Sequence, residues 1–124
     1  MSSINGVKLR TNMVASSQYS LKSPYSMKAE YITIHNTAND ASAWNEISYM
    51  KTRPEAVSFH LAVDDKEVVQ GLPYSRNGWH AGDGASGTGN RKSVGIEICY
   101  SKSGGVRYQN AERNAIKVIA SLCR

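Results

Sequence analysis

The sequence predicts an α/β fold in which a mixed central β-sheet is flanked by helices. Four short segments alternate apolar and polar residues, as half-buried strands do: "EYITIH", "AVSFHLAV", "VVQGL" and "SVGIEICY". Residues 41–52 and 110–124 instead carry apolar residues at helical spacing. The 124 residues have the size of a single domain with one core, and we expect one domain over residues 1–124.

The chain begins with a segment for which the sequence predicts no regular element. Residues 1–27 are rich in Ser, Asn and Lys and contain Pro24, which is typical of an extended lead-in. "EYITIH" is the first predicted strand, with Ile32 and Ile34 on one face. The following helix is expected to begin at an Asp40 N-cap and to end before Pro54.

A hairpin and a fourth strand follow the first helix. In "AVSFHLAV" we expect Phe59 to share a face with Leu61, and "DDKE" turns the chain into "VVQGL". "SVGIEICY" places its Val and Ile residues on one side and Glu97 on the other. The last helix is predicted to face the core through a stripe at i, i+3, i+4 and i+7, formed by Ile116, Ile119, Ala120 and Cys123.

Composition and charge restrict the classes of partner. The formal net charge is +5 and the pI about 9.3, with no long basic tract. That pattern suits an anionic polymer, which could be nucleic acid, a membrane surface or a bacterial wall. The first 20 residues lack an apolar core typical of a signal peptide, and no membrane-spanning run follows, so we expect cytoplasmic synthesis without a signal peptide. Cys99 and Cys123 are interpreted as reduced, buried thiols.

Two residues stand out as candidates for chemistry. His35 ends a strand at the polar turn "NTAND", where a sheet presents side chains to a cleft. Glu97 lies between apolar neighbours, and acids are rarely buried unless they are paired, bind metal or do chemistry. Burial would raise the pKa of Glu97 and make it a usable acid or base near neutrality. The alternative is that Glu97 lies on a wet face of the sheet.

The remaining histidines and a glycine-rich loop permit more than one interpretation. His60 is either a hydrogen-bonded core histidine, which we favour, or a metal ligand. Trp79 and His80 lie in a long loop and are interpreted as the wall of a cleft for a sugar or peptide. "GDGASG" matches a dinucleotide-binding pattern, but it does not follow a strand or open a predicted helix, so we interpret residues 82–87 as a flexible loop.

Four segments together resemble the zinc-dependent N-acetylmuramoyl-L-alanine amidases, especially endolysin and autolysin catalytic domains: "YITIHNTAND", "VSFHLAVDDKEVVQGLP", "NGWHAGDG" and "GNRKSVGIEICYSKSGG". The resemblance runs from about residue 28 to residue 124. It implies a peptidoglycan-recognition-protein-like fold and hydrolysis of the amide between N-acetylmuramic acid and the L-alanine of the stem peptide. It also implies that bacterial peptidoglycan is the partner and that the enzyme acts on the cell wall after release. Nucleic acid is not expected as a partner, because the sequence has no recognised nucleic-acid-binding motif, and a membrane is not expected, because no spanning run is present.

Carried over residue by residue, the resemblance makes His35 the first zinc ligand and Glu97 the catalytic acid/base. Asn36, Trp79 and His80 are implied as substrate-binding residues. The other two zinc ligands of the family follow the long helix, on a further strand and a Cys-Pro loop. We therefore expect a C-terminally incomplete domain that lacks the last strand, with weak or absent zinc binding and impaired activity.

Two consequences follow from this expectation. Absence of the last strand would expose an apolar edge around Ile119 and Leu122, through which we expect self-association. The alternative function is a non-catalytic module that binds peptidoglycan or muropeptides through Trp79, His80 and the loop that carries them. Retention of Glu97 favours the enzyme.

Overall fold

The computed structural model describes residues 2–124, and its centre is a mixed six-stranded sheet within that range. In spatial order the strands are β1, β2, β5, β4, β6 and β3. Their bounds are β1 Ser3–Ile4, β2 Val7–Thr11, β3 Tyr31–Asn36, β4 Leu61–Val63, β5 Glu67–Gln70 and β6 Ser93–Ile98. β1 with β2 and β4 with β5 are antiparallel, whereas β2 with β5, β4 with β6, and β3 with β6 are parallel. The predicted mixed sheet is confirmed.

Helices lie on both faces of this sheet. They are α1 Tyr19–Lys22, preceded by a 3-10 turn at Ser16–Gln18, α2 Ala43–Thr52, α3 Thr88–Lys92 and α4 Gly105–Leu122. The expected Asp40 cap of α2 is wrong, because Ser42 is the N-cap and its Oγ accepts a hydrogen bond from the Asn45 N–H at 3.2 Å. Asp40 accepts hydrogen bonds from Ser103 instead. None of the helices in the described range combines the length and apolarity that a membrane crossing requires.

The core consists of two apolar clusters, one on each face of the sheet. The cluster facing α4 contains Val7, Leu61, Val63, Val68, Val94, Ile96, Ile98, Ala111, Ala115 and Val118. The cluster facing α2 contains Val14, Ala43, Ile47, Met50, Phe59, Ala62, Val69, Leu72, Cys99 and Tyr100. The fold is therefore three layers, helix on sheet on helix.

The second predicted strand is shorter than its sequence pattern indicates. β4 begins only at Leu61, and Phe59 packs in the α2-facing cluster while Leu61 packs in the other. The reason is that Ser58 hydrogen-bonds to a loop and to the end of α1 and not to a strand: its N–H donates to the Trp79 carbonyl and its Oγ to the Lys22 carbonyl. Without a ladder, the residues before His60 do not follow strand alternation.

The predicted core stripe of the last helix is correct only at Ile119, which is partly buried against the α4-facing cluster. α4 buries Ala111, Ala115 and Val118, whereas Ile116 is 66% exposed and Cys123 is also exposed. Small alanines at i and i+4 let the helix approach the sheet closely, so the true stripe lies on a neighbouring face. Cys99, in contrast, is a buried free thiol as predicted.

The expectation that the lead-in is extended and has no regular elements is partly wrong. Residues 3–11 form the hairpin of β1 and β2, and β2 joins the sheet beside β5. Within the same lead-in the Lys22 side chain is fully buried and its Nζ donates to the carbonyls of Glu55 and Val57, at 2.7 and 3.1 Å. The segment is thus tied into the domain at its start and its end.

Candidate active site

The parallel pairing of β3 with β6 places the two leading candidates side by side. His35 is the register partner of Glu97, and both side chains point to the sheet face that α2 covers. The strands end one residue later, at Asn36 and Ile98. The ends of strands beside a covering helix form a cleft. Side chains alternate regularly between the two faces of β3 and of β6, and this alternation puts His35 and Glu97 on the cleft side.

A cleft of about 330 Å³ opens between these strand ends, α2 and the loops. Four of the five residues predicted for the site line it: His35, Asn36, His80 and Glu97. Its other lining residues are Thr37, Asn39, Glu46, Tyr49, Met50, Arg53, Val57 and Phe59. Trp79 is not among the residues that line this cleft. Trp79 lines an adjacent groove, which shares Val57 and His80 with the cleft.

Glu97 has the electrostatics of a proton-transfer group. Its carboxyl is only partly exposed, and burial raises its pKa to about 7, with a smaller contribution from the neighbouring Glu46 carboxylate. Removal from water disfavours the charged form of a carboxyl, and a second negative charge disfavours it further. Near neutral pH the Glu97 side chain therefore exists in both protonation states, as a general acid/base requires.

His80 is held in the cleft by a hydrogen bond from its backbone N–H and by close packing of its ring against Gly95, which has no side chain. Asn90 Oδ1 accepts hydrogen bonds from the N–H groups of His80 and Ala81, both at 2.8 Å. A Cβ at Gly95 in β6 would lie 2.6 Å from the His80 ring, so glycine is needed there. Burial, followed by the neighbouring rings of His60 and His35, lowers the His80 pKa to about 4, and the imidazole is neutral at pH 7.

His60 is a core histidine, as the favoured interpretation predicted. It is fully buried, its Nε2 donates to the Arg76 carbonyl at 2.7 Å, and its Nδ1 accepts from the Gly95 N–H at 3.0 Å. Both ring nitrogens are thus used in holding three segments together. Burial lowers the pKa of His60 to about 4.

Helix α2 supplies cleft residues that the sequence reasoning missed. Glu46, Met50 and Arg53, at i, i+4 and i+7, all line the cleft, together with Tyr49. Burial raises the pKa of Glu46, partly offset by a hydrogen bond from Asn39, and one of its carboxylate oxygens is buried without a partner. The helical spacing of one acidic and one basic residue around Met50 was the available signal.

The glycine-rich loop is ordered by one carboxylate. Asp83 accepts hydrogen bonds from the N–H groups of Gly89 and Asn90, at 2.6 and 3.1 Å, at the start of α3. A Cβ at Gly87 would meet Asp83 at 2.2 Å, so close packing accounts for this glycine. Residues 82–87 form a loop as predicted, but the loop leads directly into α3, a helix that the sequence analysis did not predict.

Comparisons with known proteins identify the family to which this geometry belongs. The profile of the family described as N-acetylmuramoyl-L-alanine amidase matches residues 25–124. The chain belongs to the N-acetylmuramoyl-L-alanine amidase family. The resemblance drawn from the four sequence segments is thereby confirmed.

Individual amidases are similar over nearly the whole chain. N-acetylmuramoyl-L-alanine amidase CwlA of Bacillus subtilis (strain 168) is 66% identical over 118 residues, which are 95% of this chain and 43% of CwlA. Amidase XlyB of the same strain is 60% identical over 118 residues, 95% of this chain and 37% of XlyB. The chain thus spans less than half the length of these relatives.

Solved structures confirm the fold. The structure of PlyL has a TM-score of 0.90 and 56% sequence identity, covering 93% of this chain and 72% of that one. The catalytic domain of XlyA has a TM-score of 0.83 and 41% identity, covering 94% and 75%. The predicted fold class is therefore that of amidase catalytic domains.

Amidases of this family are generally zinc-dependent, which makes the fit of the cleft residues to a metal a specific question. The His35 Nε2 and both ring nitrogens of His80 are buried with no hydrogen-bond partner, so free nitrogens are available. Within residues 2–124, however, no three His, Cys, Asp or Glu side chains are grouped closely enough to hold a metal ion. A structural or catalytic zinc takes at least three protein ligands. The described residues alone do not fit a zinc site.

Proposed function

We propose that this domain hydrolyses the amide bond between N-acetylmuramic acid and the L-alanine of the stem peptide in bacterial peptidoglycan. Membership of the amidase family supports the reaction class. The observation that carries the assignment is Glu97, a carboxyl with a pKa near 7 inside the cleft beside His35 and His80. The place of action is then the cell wall.

Glu97 would move the proton that hydrolysis requires. A water molecule attacks the carbonyl carbon of the lactyl amide, and the Glu97 carboxylate accepts the proton that this water loses. When the carbon–nitrogen bond breaks, the protonated carboxyl returns that proton to the departing amine of L-alanine. A pKa near 7 suits both steps, because acceptance and return of the proton then cost similar free energies.

The other predicted residues would hold the substrate or the metal. Asn36 and His80 line the cleft, and Trp79 lines the adjoining groove, which supports a substrate that extends across both. An aromatic ring beside the cleft suits a sugar or peptide. His35 is proposed as one zinc ligand, supported by its buried and unpartnered Nε2, although the described residues do not by themselves complete a zinc site.

Glu97→Gln in the intact protein tests the proposed role. Gln keeps the shape of the side chain but cannot accept a proton, so turnover on purified cell walls should fall about 100- to 10,000-fold. Release of amino termini gives the rate, and mass spectrometry of the fragments shows which bond is cut. Glu112→Gln on α4, where the glutamate is exposed, is the matched control and should leave turnover unchanged.

Two outcomes would contradict the proposal. Full turnover in Glu97→Gln would exclude this residue as the acid/base. Fragments without a newly exposed L-alanine amine, from wild-type protein that does digest walls, would exclude the proposed bond. Wall binding by intact wild-type protein without any cleavage would favour the non-catalytic binding module.

We also propose that the free edge of the sheet associates with a second copy of the chain. Among the described strands β3 pairs only with β6, and Tyr31 and Ile34 are 58% and 50% exposed beside a groove lined by Ile119 and Leu122. Unpaired strand edges with apolar side chains favour such pairing.

Light scattering across a range of concentrations tests this association. The expected result is dimer formation that Ile34→Lys abolishes. Val106→Lys, at an equally apolar exposed residue on α4, should not affect it. A monomer at all concentrations would contradict the proposal.

A further inference from the structure

Two acidic side chains and one arginine line the cleft. Among the twelve lining residues, Glu46 and Glu97 are acidic and Arg53 is the basic one. Arg53 lies at the C-terminal end of α2, seven residues after Glu46. A substrate group near Arg53 would therefore meet a positive charge that no other residue lining the cleft provides.

The Arg53 guanidinium is held in place by two neighbours. Its Cζ lies 5.2 Å from the centre of the Tyr49 ring, and its Nε donates to Glu55 Oε2 at 3.2 Å. Among the described residues the Arg53 guanidinium donates this one hydrogen bond, and the Arg53 side chain is 29% exposed. Stacking and one ion pair thus fix the plane of the group, while its two terminal nitrogens remain free to donate to a ligand.

The segment that carries Glu55 is held in place by the buried Lys22 side chain. The buried Lys22 Nζ donates to the carbonyls of Glu55 and Val57, and Val57 lines both the cleft and the Trp79 groove. Burial, followed by the nearby Arg53 charge, lowers the pKa of Lys22. The Glu55 carboxylate, which pairs with Arg53, partly offsets this effect on Lys22. One carboxylate thus faces two cations, and the remaining positive charge favours a bound anion.

From this geometry we propose that Arg53 binds a free carboxylate of the stem peptide, with Tyr49 and Glu55 as positioning residues. Two parallel N–H donors in a fixed plane match the two oxygens of a carboxylate. The site distinguishes a stem peptide that carries a carboxylate on its second residue from one in which that carboxylate is amidated. The inference rests on the proposed function, because it takes peptidoglycan as the substrate.

Binding of a matched pair of ligands tests the inference. The probes are two N-acetylmuramoyl tripeptides whose second residue is D-glutamate or D-isoglutamine, linked through its γ-carboxyl to a third residue that is amidated at its C-terminus. They differ only in one carboxylate, the amide form has no free carboxylate in its peptide, and each is titrated calorimetrically into the intact protein. Wild type should bind the carboxylate form roughly ten-fold or more tightly than the amide form. Arg53→Gln should remove that preference by weakening only the carboxylate form. Arg113→Gln on α4, at an exposed site outside the cleft, should keep it.

Two further variants separate recognition from folding. Tyr49→Phe keeps the ring beneath the guanidinium and should retain the preference, whereas Tyr49→Ala should reduce it, with both checked by thermal unfolding. Equal affinity of wild type for the two probes, or a preference that survives in folded Arg53→Gln, would overturn the inference while leaving the amidase proposal intact. Failure of wild type to bind either probe would contradict both.

Discussion

The two faces of strand β6 differ in what their side chains do. Toward α4 the strand presents Val94, Ile96 and Ile98, which are buried in a wholly apolar cluster with the alanines of that helix. Toward α2 the alternating residues include Gly95, which makes room for the His80 ring, and Glu97, which faces the cleft. One strand thus separates packing from chemistry by alternation alone.

Buried polar atoms without partners are concentrated at the cleft but are not confined to it. Those of His35, Glu46 and His80 belong to residues that line the cleft, those of Arg76, Asn77 and Arg91 lie outside it, and within residues 2–124 none lies on α4. Each such atom costs about 1 to 3 kcal/mol of stability. The comparison teaches that both faces bury an apolar cluster, but that the cleft side also carries the cost of these unpartnered atoms.

The largest expected effect on stability is at the α4 face. Ile96 is fully buried, and Ile96→Ala should lower the free energy of unfolding by about 2 to 5 kcal/mol, because it loses apolar contact and leaves a cavity. Ile96→Val should cost about 0.5 to 1.5 kcal/mol. Chemical denaturation measures both. A loss below 1 kcal/mol for the alanine variant would show that this face does not dominate stability.

The pH dependence of the unfolding free energy tests the contribution of the buried His60 side chain to stability. Its pKa is about 4 in the folded protein and about 6.5 when unfolded. Between these values the unfolded chain binds the proton, so stability is full above pH 6.5 and falls as the pH drops toward 4. The loss is at most about 3 kcal/mol. Denaturation at a series of pH values should show a shallower slope in His60→Gln than in wild type, and equal slopes would contradict the assignment.

A smaller effect is expected where β6 meets His80. Gly95→Ala places a Cβ against the His80 ring, which should cost about 1 to 3 kcal/mol and displace the ring from the cleft. His80→Ala removes the clash, so the alanine at 95 should cost little in the double variant. A double-mutant cycle on unfolding free energies isolates this coupling. Additive effects of the two changes would mean that the ring and Gly95 are not in contact.

Regular alternation explains why the sequence predicted much of the site. In β3 and β6 every residue continues the pattern, so the pairing of His35 with Glu97 follows from two strands that end together. The same rule failed for Phe59, since Ser58 is hydrogen-bonded to the Trp79 and Lys22 carbonyls, which are distant in sequence. Local patterns do not contain such long-range partners.

Helices and loops were harder to predict for a related reason. The phase of α4 depends on how closely its alanines approach the sheet, and the apolar pattern of that helix permits two neighbouring stripes. The contribution of Arg53 to the cleft depends on where α2 crosses the strand ends. Trp79 turned out to face an adjoining groove because its backbone is bonded to Ser58.

Parallel measurement of turnover and unfolding free energy for Ile96→Ala and Glu97→Gln tests the division between the two faces most directly. The two residues are neighbours, and their side chains point to opposite faces of β6. We predict that Ile96→Ala loses about 2 to 5 kcal/mol of stability and keeps turnover at temperatures where it stays folded. Glu97→Gln should keep its stability within about 1 kcal/mol and lose turnover at least about 100-fold. A Glu97→Gln variant that loses stability as Ile96→Ala does, or that retains turnover, would contradict the account.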